Sequence, residues 1–357
     1  MKRILVPFSF LYGAIVWIRN LLYDIKVFKS YEFKLPVISL GNITVGGTGK
    51  TPHTEYLIRL LEKQYKVAFL SRGYKRKTRD FRYATESSTV NEIGDEPWQI
   101  RHKFPHIIVA VDRDRVNGIR NIQESYAETD IILLDDAFQH RSVKPGINIL
   151  LVDYNRPIFN DTLLPRGELR EPVSGRDRAD IFIVTKSPAN MSAMDRRLFA
   201  INIDPLPHQR VYFSTIKYNT PLPVFAGARN EVDFQDKSLS VLLVTGIAKA
   251  KSILDHLRKQ YTNVEHVEFA DHHAFTVNDI QAIQQKYNGI TEEKKIIFTT
   301  EKDAVRLRTM QNSDMNPDEW YYLPIEIEFL HDEGELFNRQ IMHYINTNSR
   351  KSLLYKG

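Results

Sequence analysis

Short, continuous apolar runs recur through the first half of the chain at 36–40, 67–70, 107–111, 131–134, 147–152 and 181–184. Runs this unbroken read as strands buried on both faces, the pattern of a parallel sheet. After the first run, Tyr56, Leu57, Leu60 and Leu61 fall at the spacing of one helix face. Strand and helix patterns then keep alternating, which predicts an α/β fold: a mostly parallel sheet with helices on both faces. In such sheets the loops at the carboxyl ends of the strands line the ligand crevice.

The alternation lapses at 201–236, where Pro205, Pro207, Pro221 and Pro223 flank a strand-like run at 211–216. This stretch reads as a linker or inter-domain ribbon. Strand patterns return at 241–245, 264–269 and 296–300, with helical ones near 252–261, 277–287 and 303–310. The expected organisation is therefore an apolar helix over 1–30, a core domain over 31–204, a ribbon over 205–236, and a smaller α/β domain over 237–357 that closes over the first.

At the N-terminus, residues 4–18 carry no charge and follow Lys2 and Arg3. The run is shorter than the roughly 20 apolar residues a membrane-spanning helix needs. A signal peptide shares the basic start and apolar centre, but no clean small-x-small site follows. With Leu21, Leu22, Tyr23, Ile25, Val27 and Phe28 interleaved with Lys26 and Lys29, the segment reads as a helix lying in the membrane interface. A core-packing helix is the competing reading.

Composition changes the picture little. Lys+Arg total 49 against Asp+Glu 44, a formal +5 that suits an anionic partner without requiring nucleic acid. The absence of cysteine excludes disulfides, thiolate metal sites and cysteine nucleophiles.

The chemistry concentrates at strand ends. After the run at 36–40 comes Gly41-Asn42-Ile43-Thr44-Val45-Gly46-Gly47-Thr48-Gly49-Lys50-Thr51-Pro52, a phosphate loop leading into a helix. Its backbone N–H groups would cradle phosphate oxygens at the positive end of the helix, with Lys50 on the β/γ-phosphates and Thr51 on Mg²⁺. Thr44 stands where the usual pattern has its first glycine. The run at 131–134 ends in Asp135 and Asp136, the form of a Walker-B element, which would hold Mg²⁺ directly or through water. Gln139 and His140 follow in a polar, aromatic turn.

Asp95 and Glu96 sit in a Gly/Pro-framed turn, where a helix cap competes with a catalytic base. The loop 163–172 holds Arg166 and Arg170, which could bind a transferring phosphate, and Glu168 and Glu171, one of which could approach a metal; a solvated loop is the competing reading. Asp271-His272-His273 ends a strand of the second domain, and consecutive side chains diverge too much for a zinc site. An Asp–His pair there could instead orient a catalytic carboxylate. Neither Thr300-Glu301-Lys302-Asp303 nor Thr185-Lys186-Ser187-Pro188 completes a guanine-reading motif, so ATP is preferred to GTP. The basic cluster with Arg72 and Tyr74 would serve single-stranded nucleic acid, but a phosphorylated, membrane-resident substrate explains both it and the apolar N-terminus.

Taken together, GNITVGGTGKTP, LSRGY, GDEP, LLDDAFQHR, LLPRGELREP, DHHAF and TTEKDAVR, in order between Gly41 and Arg306, closely resemble the tetraacyldisaccharide 4′-kinase family. The departure at Thr44 belongs to that family's pattern. The resemblance implies a P-loop NTPase-type core and ATP-dependent phosphorylation of the 4′-hydroxyl of an acylated glucosamine disaccharide 1-phosphate, on the cytoplasmic face of the bacterial inner membrane. It implies ATP and Mg²⁺ as cofactors, the lipid and the membrane surface as partners, and neither nucleic acid nor an obligate protein partner. Residue by residue, it assigns Thr44 to Thr51 to the nucleotide, Thr51, Asp135, Asp136 and Glu171 to the metal, and Asp95 to the general base partnered by His272. Arg170 joins the catalytic set, while Glu96, Arg115, Gln139, His140, Asp271, Arg72 and Tyr74 would line the cleft. A membrane-recruited P-loop ATPase acting as a switch is the alternative, although Val45 stands where such proteins carry a signature lysine. A P-loop ligase for a soluble metabolite is disfavoured by the apolar N-terminus.

Overall fold

A computed structural model describes residues 4–225, 227, 232–247, 250–271, 273–308, 310 and 315–348. The strands are β1 (Val37–Gly41), β2 (Val67–Ser71), β3 (Arg82–Tyr83), β4 (Ile108–Val111), β5 (Ile131–Asp135), β6 (Ile147–Asp153), β7 (Ile181–Thr185), β8 (Arg210–Tyr218), β9 (Leu222–Pro223), β10 (Ser240–Thr245), β11 (Val264–Glu268), β12 (Lys295–Thr300), β13 (Trp320–Leu323) and β14 (Ile325–Phe329). The helices are α1 (Val6–Asp24), α2 (Lys50–Leu61), α3 (Val90–Ile93), α4 (Asp95–Lys103), α5 (Arg115–Ser125), α6 (Ala193–Ile203), α7 (Lys251–Gln260), α8 (Val277–Asn288), α9 (Glu301–Arg308) and α10 (Glu333–Asn348).

The chain divides into two compact units, residues 1–216 with 327–357, and residues 217–326. The first is built on a nine-stranded sheet in the order β14-β8-β7-β6-β1-β5-β2-β4-β3. Pairing is parallel from β8 through β4, and β3 joins antiparallel. The continuous apolar runs are buried as their pattern predicts, because helices cover both faces. Leu57, Ile58 and Leu61 of α2 pack with Ile38 and Leu40 on one face, and Val116, Ile119 and Ile122 of α5 pack with Val37 and Leu134 on the other. The connection after β1 leads to one side of the sheet and that after β5 to the other, so the carboxyl ends of these adjacent strands form the topological switch point.

The second unit repeats the plan in a five-stranded sheet ordered β11-β10-β12-β13-β9. Ile253 and Leu257 of α7 cover one face, and Ile280 and Ile283 of α8 with Leu307 of α9 cover the other.

Three expected boundaries are corrected. The stretch 205–236 is not simply a ribbon, because β8 pairs with β7 through Ile181 to Val184 and buries Tyr212, Phe213 and Ser214. The prolines mark the ends of that strand rather than a linker. Nor does the second domain run to the C-terminus. In α10, Phe337, Ile341 and Ile345 lie in the core beside Ile38 and Leu40, so this helix belongs to the first unit. Finally, the N-terminal helix ends at Asp24 and not near residue 30; Lys26 turns with φ 62°, and the Phe28 N–H donates to the Leu22 carbonyl.

The burial of α10 generates a test. Ile341→Ala should lower stability by about 2–5 kcal/mol, the usual cost of a cavity at a fully buried aliphatic position. Urea unfolding read by fluorescence measures it, and an unshifted midpoint would place α10 outside the core.

Candidate active site

The loop between β1 and α2 takes its shape from its glycines. Gly46 (φ 89°) and Gly49 (φ 87°) adopt left-handed backbone that a side chain would strain, and Gly49 caps α2. The loop is braced from beneath, where the fully buried Asn42 amide donates to Thr48 Oγ1 at 2.8 Å. Along its outer side runs the segment 163–171. The Val45 N–H donates to the Glu168 carbonyl (2.8 Å), the Arg170 N–H donates to the Ile43 carbonyl (2.7 Å), and Thr44 bridges Leu169. This short strap delivers Arg170 to the centre of the site.

There the Walker-B pair ends β5. Lys50 Nζ lies 3.5 Å from Asp136 Oδ1, and Arg170 Nη1 lies 3.1 Å from Asp136 Oδ2. Burial alone would raise the Asp136 pKa, but Lys50 and Arg170 outweigh it and hold the carboxyl below its ordinary value. Asp135 is pushed the other way by burial, reinforced by the charges of Glu96 and Asp136. Its Oδ2 accepts from Ser71 Oγ at 3.1 Å. Thr51 Oγ1 donates to Glu96 Oε1 at 3.4 Å, which brings the start of α4 to the start of α2.

Asp95 and Glu96 reach this place because two turns press together. A Cβ on Gly94 would come within 2.9 Å of the Tyr74 carbonyl, and one on Gly73 within 2.6 Å of the Ile93 carbonyl. The turn carrying Arg72 and Tyr74 therefore packs directly under the start of α4. Tyr74 is exposed.

Other expected residues sit deeper. Arg115 is 1% exposed, donates to the carbonyls of Asp112 and Asp135, and has its pKa lowered to about 10 by burial. It braces the Walker-B strand from behind instead of lining an open cleft. Gln139 donates to the Asn42 carbonyl and to Glu171 Oε1. Burial lowers the His140 pKa to about 4, with Arg115 and Arg72 adding to the effect, so this imidazole is neutral at pH 7.

Glu171 departs most from its expected place. It is fully buried, with Oε2 accepting from Arg178 Nη2 at 2.7 Å and Oε1 from Gln139 at 2.9 Å. Both oxygens accept from protein donors, which makes Glu171 an anchor of the strap. Asp271 lies in a turn of the second unit, and His272 lies outside the described residues.

A metal fits the remaining set. Asp136 Oδ1 is buried without a hydrogen-bond partner among the described residues, 3.5 Å from Lys50 Nζ and close to the Asp135 carboxylate. No group of three His, Asp or Glu gathers there among the described residues. That suits Mg²⁺, which takes one or two carboxylates and keeps waters and substrate phosphates for its other positions.

Sequence reasoning missed several neighbours. Lys186 donates to the Gly47 carbonyl and pairs with Asp153 at 2.8 Å, while Arg156 pairs with Glu168 and donates to the Val45 carbonyl. Asp153 carries the same signal as Asp135, an acid ending a buried apolar run, and could have been found by it.

The first helix joins the site through the strap. Tyr12 Oη donates to the Arg170 carbonyl at 2.7 Å, and Ser9 Oγ bonds the Leu163 carbonyl and the Arg166 N–H. Its other face leaves Phe10, Leu11, Ile15, Trp17 and Ile18 exposed. By length and composition α1 could cross a membrane. Between it and the strap lies a groove of about 640 Å³ lined by Phe10, Gly13, Trp17, Leu163, Leu169 and Val173.

A glycine-shaped loop capping a helix at the switch point, with lysine, threonine and a Walker-B pair converging on it, defines a P-loop nucleotide-dependent phosphotransferase site. Comparison with known proteins narrows this class. The profile of the LpxK family, tetraacyldisaccharide-1-P 4′-kinase, matches residues 1–346. A tetraacyldisaccharide 4′-kinase of Phocaeicola vulgatus is 50% identical, covering 99% of this chain and 97% of that relative. One of Porphyromonas gingivalis is 41% identical, covering 97% and 98%. Among solved structures, LpxK from Aquifex aeolicus in complex with ATP superposes with a TM-score of 0.73 at 27% identity, covering 96% of this chain and 99% of that one. The chain belongs to the tetraacyldisaccharide-1-P 4′-kinase family, and its activity is that of a kinase.

The buried Glu171–Arg178 pair makes a prediction. Arg178→Ala strands a fully buried carboxylate and should cost about 3–5 kcal/mol. Differential scanning calorimetry would register the loss, and an unchanged melting temperature would show that the pair is not structural.

Proposed function

We propose that the chain transfers the γ-phosphoryl group of ATP to the 4′-hydroxyl of a tetraacyldisaccharide 1-phosphate, with Mg²⁺, on the cytoplasmic face of the inner membrane. The observation that carries this is the grip of Lys50 and Arg170 on Asp136 at the mouth of the phosphate loop, in a member of this family. The backbone N–H groups of the loop would bind the phosphates, and Lys50 would exchange Asp136 for the β/γ-phosphates. Thr51, Asp135 and Asp136 would hold Mg²⁺, which when bound supplies neutralising charge to the phosphates. Arg170 would meet the negative charge of the transferring group. Asp95, with His272 as partner, would take the proton of the acceptor hydroxyl as its oxygen bonds to phosphorus and ADP leaves. Glu96, His140, Arg72, Tyr74 and Asp271 would line the acceptor side, with Arg115 and Gln139 supporting from behind.

The apolar face of α1 supports a membrane-resident substrate. The docked face keeps the helix against the strap, and the mostly apolar groove of about 640 Å³ beside it would suit acyl chains. Leu11, Ile15 and Ile18 form one exposed stripe at helical spacing.

Two outcomes are expected. Supplied with labelled ATP and the disaccharide 1-phosphate lipid, the protein should transfer label to the lipid and not to a soluble sugar. Lys50→Ala should reduce transfer by about 10³-fold or more while the fold persists; acceptor-independent ATP turnover would instead favour a switch ATPase. Separately, Leu11→Glu, Ile15→Glu and Ile18→Glu together should release the protein from anionic vesicles in a sedimentation assay and leave its melting temperature in place. Undiminished sedimentation of that variant would mean that another surface carries the attachment.

A further inference from the structure

The TTEKDAVR block plays no part in the chemistry above, yet it contains a fully buried carboxylate. Asp303 is 0% exposed at the start of α9, where the chain leaves β12. Its neighbour in the sheet is β10, and the connections of the two strands lead to opposite sides, so this is the switch point of the second unit. No base-reading role suits Asp303, because both oxygens are taken. Oδ2 accepts from the Gly246 N–H at 2.9 Å and from Thr300 Oγ1 at 2.6 Å, and Oδ1 accepts from Arg306 Nη1 at 2.9 Å. Arg306 Nη1 also donates to the Gly246 carbonyl at 3.3 Å. The pair thus holds both backbone polar groups of Gly246.

Gly246 in turn touches the turn that carries Asp271. A Cβ added at 246 would lie 3.0 Å from Asp303 Oδ1, 3.4 Å from His273 Cβ and 3.5 Å from the Ala270 carbonyl. Gly246 therefore lies between the buried ion pair and that turn, tight against Asp303 and in ordinary contact with His273 and Ala270. The far side of the turn is fixed independently: His273 Nε2 bonds Asp279 Oδ2 at 2.9 Å, and its ring stacks on Phe269. Burying an ion pair contributes little net stability compared with apolar packing, so its use here is better explained by the geometry it enforces.

We propose that Asp303 and Arg306 are positioning residues for the acceptor-side turn through Ala270, Asp271 and His273, acting through Gly246. The inference deepens the reading of that turn as part of the acceptor machinery and rests on it. Neither residue touches nucleotide or lipid in this scheme. Gly246 packs against His273 and the Ala270 carbonyl, so its placement bears on the turn.

Asp303→Ala risks misfolding, so the test uses Gly246→Ala, which pushes from the other side, and Asp303→Asn, which keeps the shape. Both should lower kcat by about tenfold to a hundredfold, the scale of a misplaced catalytic group, with the KM for ATP within about twofold of the parent. In a His272→Ala background Gly246→Ala should add almost nothing, because groups acting as one unit are not additive. A Gly246→Ala enzyme with parental kcat, or one that only melts earlier, overturns the inference, as do losses that multiply with His272→Ala. His272→Ala with parental kcat would defeat the catalytic role of His272 instead. The kcat of Gly246→Ala would then still decide whether the turn is positioned.

Discussion

Placing two carboxylates side by side at the end of a buried strand is the constraint around which the first unit is built. Taking such charges out of water costs several kcal/mol each unless partners compensate. Asp136 has them in Lys50 and Arg170, while Asp135 has a hydroxyl donor in Ser71 and a nearby Glu96 that makes its situation worse. Lys50 and Arg115 also act on Asp135, but burial outweighs them there, and Asp136 Oδ1 has Lys50 at 3.5 Å without a hydrogen-bond donor among the described residues. A cation entering here would relieve both acids at once.

Most of the surrounding structure positions the groups that meet this pair. The loop glycines set Lys50, the strap at 163–171 sets Arg170, and the fully buried Glu171 sets the strap by gripping Arg178 and Gln139. Gln139 closes the circuit by donating to the Asn42 carbonyl beneath the loop. Loop, strap and Walker-B turn therefore form one hydrogen-bonded unit, and movement of any one of them misplaces the others.

Local signals were legible wherever one element decides its own fate. The continuous apolar runs became β1, β2 and β4 to β7, each within a residue or so of its predicted span, because a strand buried on both faces leaves no room for polar interruption. The phosphate loop and Asp135-Asp136 were legible for the same reason, their chemistry being fixed by residue type at one strand end. What stayed hidden depends on partners far along the chain. The depth at which Arg178 and Gln139 hold Glu171 was not visible, α10 gave no sign that it returns to the first unit's core, and flanking prolines disguised β8 as a linker. A spacing rule cannot reveal such placements, since the deciding neighbour is set by topology.

The first helix shows how far the same physics extends toward the membrane. One face of α1 is polar enough to dock: Ser9, Tyr12 and Asn20 reach Leu163, Arg170 and Glu171 of the strap, and Arg141 holds the helix end through Asn20 and Asp24. The other face exposes aromatic and branched side chains in a continuous patch, which a free monomer in water rarely tolerates. A helix crossing the bilayer would have to leave the strap and abandon those hydrogen bonds inside hydrocarbon, where unmade polar contacts cost several kcal/mol each. A helix lying in the interface would keep them and bury its apolar face in lipid instead. The residues that dock α1 belong to the same strap that presents Arg170 to Asp136, so the apolar patch and the phosphate loop are tied together through one segment.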